Sequence, residues 1–177
     1  MAIILTSQNN ELYVNGQPVG SSGPALFTLT TLEGNPTVYP NSIVSSTDTL
    51  SIVSTDESYY TAFITFKLPI IPTQGSIGFV SRNYANTFAF SFDFLDGMAG
   101  FSANGSGTQS LGWPVESGDT MTIALTSYTC SFFVNGNLVQ SVPTQTEYLN
   151  VWARFYASTS YQANNIAFGY LADPLVG

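Results

Sequence analysis

The chain has 177 residues and a formal net charge of −8, from 3 basic and 11 acidic side chains, with no histidine. So few cations argue against nucleic acid or an anionic membrane as a partner. Hydrophobic residues make up 44% of the sequence, and a chain of this length and composition predicts one domain with a sizeable core.

Cysteine content and the start of the chain indicate where the protein folds. The single cysteine, Cys130, excludes an internal disulfide framework. The first residues carry no basic segment and only a short apolar run, so they predict neither a signal peptide nor a membrane span. We therefore expect synthesis and folding in a reducing cytoplasm.

The first 40 residues predict a hairpin followed by an extended arm. Residues 12–19 (LYVNGQPV) place Asn15-Gly16 between apolar residues, which is typical of a tight type I′ turn. Short apolar segments separated by glycine and proline follow. We therefore divide the chain into an N-terminal hairpin and arm over residues 1–40, a candidate attachment segment, and a β-sandwich over residues 41–177.

Alternation of apolar and polar residues continues through the rest of the chain and predicts an all-β fold. Every second residue of FAFSFDF (88–94) is phenylalanine, and 60–68 alternates in the same way. No apolar period of 3.6 residues is sustained, so we expect little helix. Further strands are predicted at 49–54, 76–81, 121–125, 151–156 and 165–170. The predicted core comprises Ile64, Phe66, Phe90, Phe92, Ile123, Phe133 and Phe168.

A second aromatic-Val-Asn-Gly segment lies near the end of the chain, at residues 133–136. It predicts another two-residue type I′ turn, in which Asn135 and Gly136 both have positive φ. The surroundings of the two segments share no other similarity, so we interpret them as separate hairpins and not as a repeat.

Three segments, in this order along the chain, resemble the SPRY family within the wider concanavalin A-like sandwiches. The first is Ile-Gly-Phe at 77–79, the second GDTMTIALTSYTCSFFVNGNLVQSV at 118–142, and the third NIAFGY at 165–170. In the second, the matching positions are Gly118, Asp119, Ile123, Leu125, Phe132, Phe133, Asn135, Gly136 and Val139. The resemblance implies an antiparallel jelly-roll-type β-sandwich from about residue 42 onward. It also implies that the domain binds proteins or sugars and catalyses no reaction.

Catalytic arrangements are poorly represented. Without histidine there is no Ser-His-Asp triad and no histidine-ligated metal, and we interpret Cys130 as a buried, inert thiol. Concanavalin A-like glycosidases carry Glu-x-Asp-x-x-Glu or a similar run on one strand. Asp93 and Asp96 are three residues apart and would face opposite sides of a strand, so we expect no enzymatic activity and no cofactor. Calcium near these two carboxylates is an open alternative.

Exposed aromatic residues beside amides are the candidate ligand-binding residues, because sugar sites use such pairs. These residues are Asn83, Tyr84, Asn86, Trp113, Tyr156 and Tyr161. The competing interpretation is that these aromatic side chains cover the ends and edges of the sandwich.

The predicted function is a noncatalytic lectin-like or SPRY-like binding or structural module. Its polar but uncharged composition favours a virion surface protein (a spike, fibre head or minor capsid protein). Its partner would be a glycan or another protein, with other capsid subunits or further copies of the chain bound through the arm. The alternatives are an intracellular protein-binding SPRY-type domain and a degenerate glycosidase.

Overall fold

The computed structural model describes residues 5–8, 11–14, 17–19, 29–39, 42–44, 50–55, 61–81, 88–144, 149–155 and 162–170. These residues form strands and turns, and none of them belongs to a helix, so no helix that could cross a membrane is found among them. The strands are β1 (Leu5–Gln8), β2 (Glu11–Val14), β3 (Gln17–Val19), β4 (Leu29–Glu33), β5 (Thr37–Tyr39), β6 (Ser42–Val44), β7 (Ser51–Thr55), β8 (Ala62–Lys67), β9 (Gln74–Ser81), β10 (Phe88–Leu95), β11 (Met98–Ala103), β12 (Gln109–Ser110), β13 (Thr120–Leu125), β14 (Thr129–Val134), β15 (Asn137–Pro143), β16 (Leu149–Phe155) and β17 (Gln162–Tyr170).

Two antiparallel sheets of seven strands each make up the sandwich. The first sheet has the order β12-β11-β10-β9-β16-β7-β4, and the second has the order β15-β14-β13-β8-β17-β6-β5. Strands β1, β2 and β3 pair only with one another in a three-stranded sheet. The predicted all-β, antiparallel sandwich is confirmed.

The core lies between the two large sheets and is built around phenylalanine. Phe92 of the first sheet makes edge-to-face contacts with Phe66 and Phe132 of the second, at centroid distances of 6.1 and 5.3 Å. Phe101 of the first sheet packs on Phe132 at 5.4 Å. All four rings are buried, and such pairs stabilise a core beyond the burial of their area.

The predicted core is confirmed for Ile64, Phe66, Phe90, Phe92 and Ile123, which all belong to the buried cluster between the sheets. Phe133 is buried but lies outside this cluster, whereas its neighbour Phe132 belongs to it. Successive residues of a strand face opposite sides, so only one of the two can face the other sheet. The side chain of Phe168 lies outside the described residues.

Two strands that precede residue 41 belong to the sandwich. Strand β4 pairs with β7 at the edge of the first sheet, and β5 pairs with β6 at the edge of the second. Leu29–Glu33 and Thr37–Tyr39 are therefore part of the sandwich sheets, ahead of the division predicted at residue 41. These strands have five and three residues, too few for a clear alternation in the sequence. The attachment role of the segment before them stays a prediction.

The hairpin between β14 and β15 has the predicted turn. Asn135 and Gly136 have φ values of 50° and 77°, and Val134 pairs directly with Asn137. The Asn135 amide also donates to Asp119 Oδ1 at 2.7 Å, and its oxygen accepts from the Thr120 backbone N–H at 2.9 Å. At the other Asn-Gly segment, β2 pairs with β3 as a hairpin, and its two turn residues lie outside the described residues.

Substitution of Gly136 by valine is expected to lower the free energy of unfolding by about 1–3 kcal/mol, because a β-branched residue resists positive φ. The matched control is Gly107→Val, at a glycine with ordinary φ and no atom within 4 Å of an added β-carbon. Urea denaturation of both variants measures the difference. Equal losses would show that the turn conformation does not carry the effect.

Candidate functional site

The outer face of the first sheet, turned away from the core, carries a group of small and polar residues. On β10, Phe90, Phe92 and Phe94 are buried in the core, so Ser91 and Asp93 occupy the opposite face. Cross-strand partners share a face. Ser76 of β9 and Gly100 of β11, the partners of Asp93, are therefore placed on this face. We call these four residues and Gly78 the Asp93 face. Asp93 is half-buried, and the other four residues are buried.

Two glycines keep the floor of the Asp93 face low. A β-carbon at Gly78 would overlap the Phe90 carbonyl oxygen and lie 2.5 Å from Ser91 Cα. At Gly100 it would lie 2.5 Å from the Gln109 carbonyl oxygen. Neither position has room for a side chain, so the floor around the carboxylate is backbone and serine.

Asp93 is held in place by two hydroxyl donors. Ser91 Oγ donates to Asp93 Oδ1 at 2.7 Å, and Thr108 Oγ1 donates to Asp93 Oδ2 at 2.9 Å. Asp93 is half-buried. Each carboxylate oxygen can accept a second hydrogen bond, so the two bonds to described residues leave further acceptor positions on Asp93.

The sheet continues onto β16, where Arg154 pairs with Ser76 and Trp152 pairs with Gly78 in the backbone register. Neither residue is among those predicted from the sequence to bind a ligand.

The residues around Asp93 have the same spacing as the Glu-x-Asp-x-x-Glu motif of concanavalin A-like glycosidases, but not the same residue types. Ser91-x-Asp93-x-x-Asp96 matches Glu-x-Asp-x-x-Glu in spacing, but a serine stands at the first position. Asp96 lies in the β10–β11 turn with φ 52° and is exposed. Within the described ranges, no three acidic or cysteine side chains come together as metal ligands.

Most of the six residues predicted to bind a ligand are not described by the structure. Asn83, Tyr84, Asn86, Tyr156 and Tyr161 lie outside the described residues.

Trp113 is the one predicted site residue that the structure describes. It is 44% exposed and follows the edge strand β12, four strands from β16 in the order of the first sheet. Partial exposure suits a ligand contact and does not establish one, so the six-residue site stays a prediction.

Cys130 lies in the core, as the sequence predicted. Its side chain is fully buried on β14, and desolvation raises the pKa of the thiol well above its ordinary value. A thiol that stays protonated and inaccessible is a poor nucleophile. Cys130 therefore has a structural role and no part in the site.

The fold is shared with solved structures of several kinds. The sequence matches no family model and no curated protein. The Crh5 transglycosylase has a TM-score of 0.59 at 13% identity, over 88% of this chain and 83% of that one. The carbohydrate binding module CBM66 from Bacillus subtilis has a TM-score of 0.54 at 12% identity, over 79% and 94%.

The SPRY domain of human HERC1 has a TM-score of 0.50 at 15% identity, over 85% of this chain and 99% of that one. The chain has a SPRY-like, concanavalin A-like β-sandwich fold. The resemblance seen in the sequence is thereby confirmed for the fold. At these identities the likeness carries no activity from one protein to another.

Proposed function

We propose that this protein is a noncatalytic lectin-like module that binds a glycan on the Asp93 face. The observation that carries the proposal is the carboxylate of the half-buried Asp93, oriented by Ser91 and Thr108 above a floor of buried glycines and serines. A fixed carboxylate accepts hydrogen bonds from sugar hydroxyls. Similarity of fold to a transglycosylase and to a carbohydrate binding module supports the choice of ligand.

The described acidic groups in the cross-strand row of Asp93 support binding without hydrolysis. Glycosidases use two carboxyl groups, which lie about 5–5.5 Å apart in retaining enzymes and roughly 6.5–9.5 Å apart in inverting enzymes. Glu33 of β4 pairs with Ile52, which pairs with Arg154 and so continues the row of Asp93. Four strand spacings separate Glu33 from Asp93, about 19 Å at roughly 4.8 Å each. That is about twice the largest separation found between the two carboxyl groups of an inverting glycosidase.

Display on a virion surface, as a spike, fibre head or minor capsid protein, is part of the same proposal. Only 8% of the residues are charged, and a polar uncharged surface is common among virion and extracellular proteins. The N-terminal segment would attach the module to other capsid subunits or to further copies of itself.

A protein-binding module of SPRY type is the second candidate. Leu95 and Met98 pair at the tip of the β10–β11 hairpin, beside the Asp93 face, and both are mostly exposed. Apolar side chains in such a place suit contact with a protein.

A glycan array with the wild-type protein and Asp93→Asn separates these candidates. We expect the wild type to bind a defined set of glycans, and Asp93→Asn to weaken binding at least about tenfold, because the charge-assisted acceptor is lost. Asp96→Asn is the matched control, since it removes the same charge three residues away, at a positive φ that asparagine tolerates.

Two results would contradict the proposal. The first is equal binding by wild type and Asp93→Asn with both proteins folded, and the second is release of sugar from the bound glycans. A wild type that binds no glycan but retains a protein partner would favour the SPRY-type candidate.

A further inference from the structure

The outer face of the second sheet contains a separate pocket, on the far side of the sandwich from the Asp93 face. Its cavity volume is about 350 Å³, near the lower end of the roughly 300–1,000 Å³ typical of ligand pockets. The residues that line it are Ser42, Lys67, Pro69, Gly118, Asn164 and Asn165.

Neighbouring strands supply these residues by their register. Ile43 of β6 and Ala163 of β17 pair with each other and are buried in the core. The residues beside them, Ser42 and Asn164, therefore face outward. Asn164 in turn pairs with Lys67 of β8, so three adjacent strands contribute a hydroxyl, a carboxamide and an ammonium group to one outward-facing row.

A bulge adds a second carboxamide to the pocket. Asn164 pairs with Lys67 and Ala167 pairs with Thr65. Between these two pairs, β17 has two intervening residues and β8 has one, so β17 carries one extra residue. Asn165 is within the bulge and has φ 51°, a conformation that residues with a β-carbon seldom adopt and asparagine tolerates best. Bulges re-aim side chains and are frequent beside binding sites. Here the bulge brings Asn164 and Asn165 to the same pocket.

The charge of the pocket is opposite to that of the protein. Lys67 is one of 3 basic residues in a chain of net charge −8, and no acidic side chain is among the described residues that line the cavity. Asp119, which follows Gly118, is engaged elsewhere: its oxygens accept from Asn135 Nδ2 at 2.7 Å and from the Glu116 backbone N–H at 2.8 Å. The half-buried Lys67 is thus placed to meet an anion from outside the protein with its ammonium group.

We propose that this pocket binds a carboxylate-bearing monosaccharide, such as a uronic acid or a sialic acid unit. The Lys67 ammonium pairs with the ligand carboxylate, and Ser42, Asn164 and Asn165 bind ring hydroxyls. A carboxamide both donates and accepts hydrogen bonds, as a hydroxyl does. A bare phosphate would leave the two amide oxygens without donors, and therefore fits these partners less well. The site shares no residue with the Asp93 face, so the two proposals stand or fall separately.

Titration of the ¹⁵N-labelled protein with single sugars tests the proposal. The probes are glucuronate, galacturonate and N-acetylneuraminate, with glucose and galactose as neutral counterparts and inorganic phosphate as the simple anion. We expect at least one acidic sugar to shift the side-chain amide signals of Asn164 and Asn165, with an affinity at least tenfold above that of the neutral sugars and of phosphate.

Variants assign the interaction to the pocket. Lys67→Gln should weaken binding of the acidic sugar at least tenfold, Lys67→Arg should retain part of it, and Asp96→Asn should leave it unchanged. Equal affinity for acidic and neutral sugars, equal affinity for phosphate, or full binding by folded Lys67→Gln would overturn the proposal. If Lys67→Gln does not fold, the wild type alone tests the proposal. Shifts of the Asn164 and Asn165 signals that are equal for acidic sugars, neutral sugars and phosphate would overturn it.

Discussion

Replacement of Phe92 by alanine is expected to lower the free energy of unfolding by about 3–5 kcal/mol. Phe92 is fully buried and contacts one ring on β8 and one on β14, so the substitution opens a cavity between the two sheets. It also removes two edge-to-face pairs, each worth roughly 0.5–1.5 kcal/mol beyond area burial. A loss of this size is a large fraction of the total stability of a typical domain.

Urea denaturation followed by intrinsic fluorescence measures this loss. The control is Leu138→Ala on β15, whose side chain is 58% exposed and whose removal should change stability by less than about 0.5 kcal/mol. Similar values for the two variants would mean that the phenylalanine cluster does not hold the sheets together.

Substitution of Gly78 by alanine is expected to cost about 3 kcal/mol, the upper part of the usual range for overpacking. The added β-carbon would meet the Phe90 carbonyl oxygen and, at 2.5 Å, Ser91 Cα. Both atoms belong to the backbone of β10, so no side-chain rotation relieves the overlap, and the β9–β10 ladder must separate.

Gly107→Ala is the matched control, because an added β-carbon there meets no atom within 4 Å and φ is ordinary. It should be neutral or stabilising by about 0.4–1 kcal/mol, through the loss of backbone freedom in the unfolded chain. Thermal unfolding of both variants provides the comparison. A tolerated Gly78→Ala would show that β9 and β10 do not need their close approach, and that the floor of the Asp93 face accepts side chains.

The two proposed sites differ in what they ask of a ligand. The Asp93 face offers an acceptor-only carboxylate and therefore selects hydroxyl or amide donors. The Lys67 pocket offers a cation with two carboxamides and therefore selects an anion that also carries hydroxyls. Because the two proposed sites lie on opposite outer faces of the sandwich, we expect them to bind separate ligands.

Local patterns in the sequence determined the fold class and several details of it. The alternation of FAFSFDF was sufficient to place Phe90 and Phe92 in the core and Ser91 and Asp93 opposite them, because a strand has a period of two. Asn135-Gly136 was sufficient for the turn, since few other pairs accept positive φ at both positions. These features depend on the residues themselves and their immediate neighbours.

Tertiary structure decided what the strands bring together. Thr108 reaches Asp93 from 15 residues away, and the pocket joins Ser42, Lys67, Gly118 and Asn164. No local sequence pattern predicts these contacts between distant residues, because they depend on which strands pair and in which register. The choice of Phe132 over Phe133 for the core and the inclusion of β4 and β5 in the sheets have the same cause. Register is selected by burial of a whole face at once, and that is a property of the assembled sandwich.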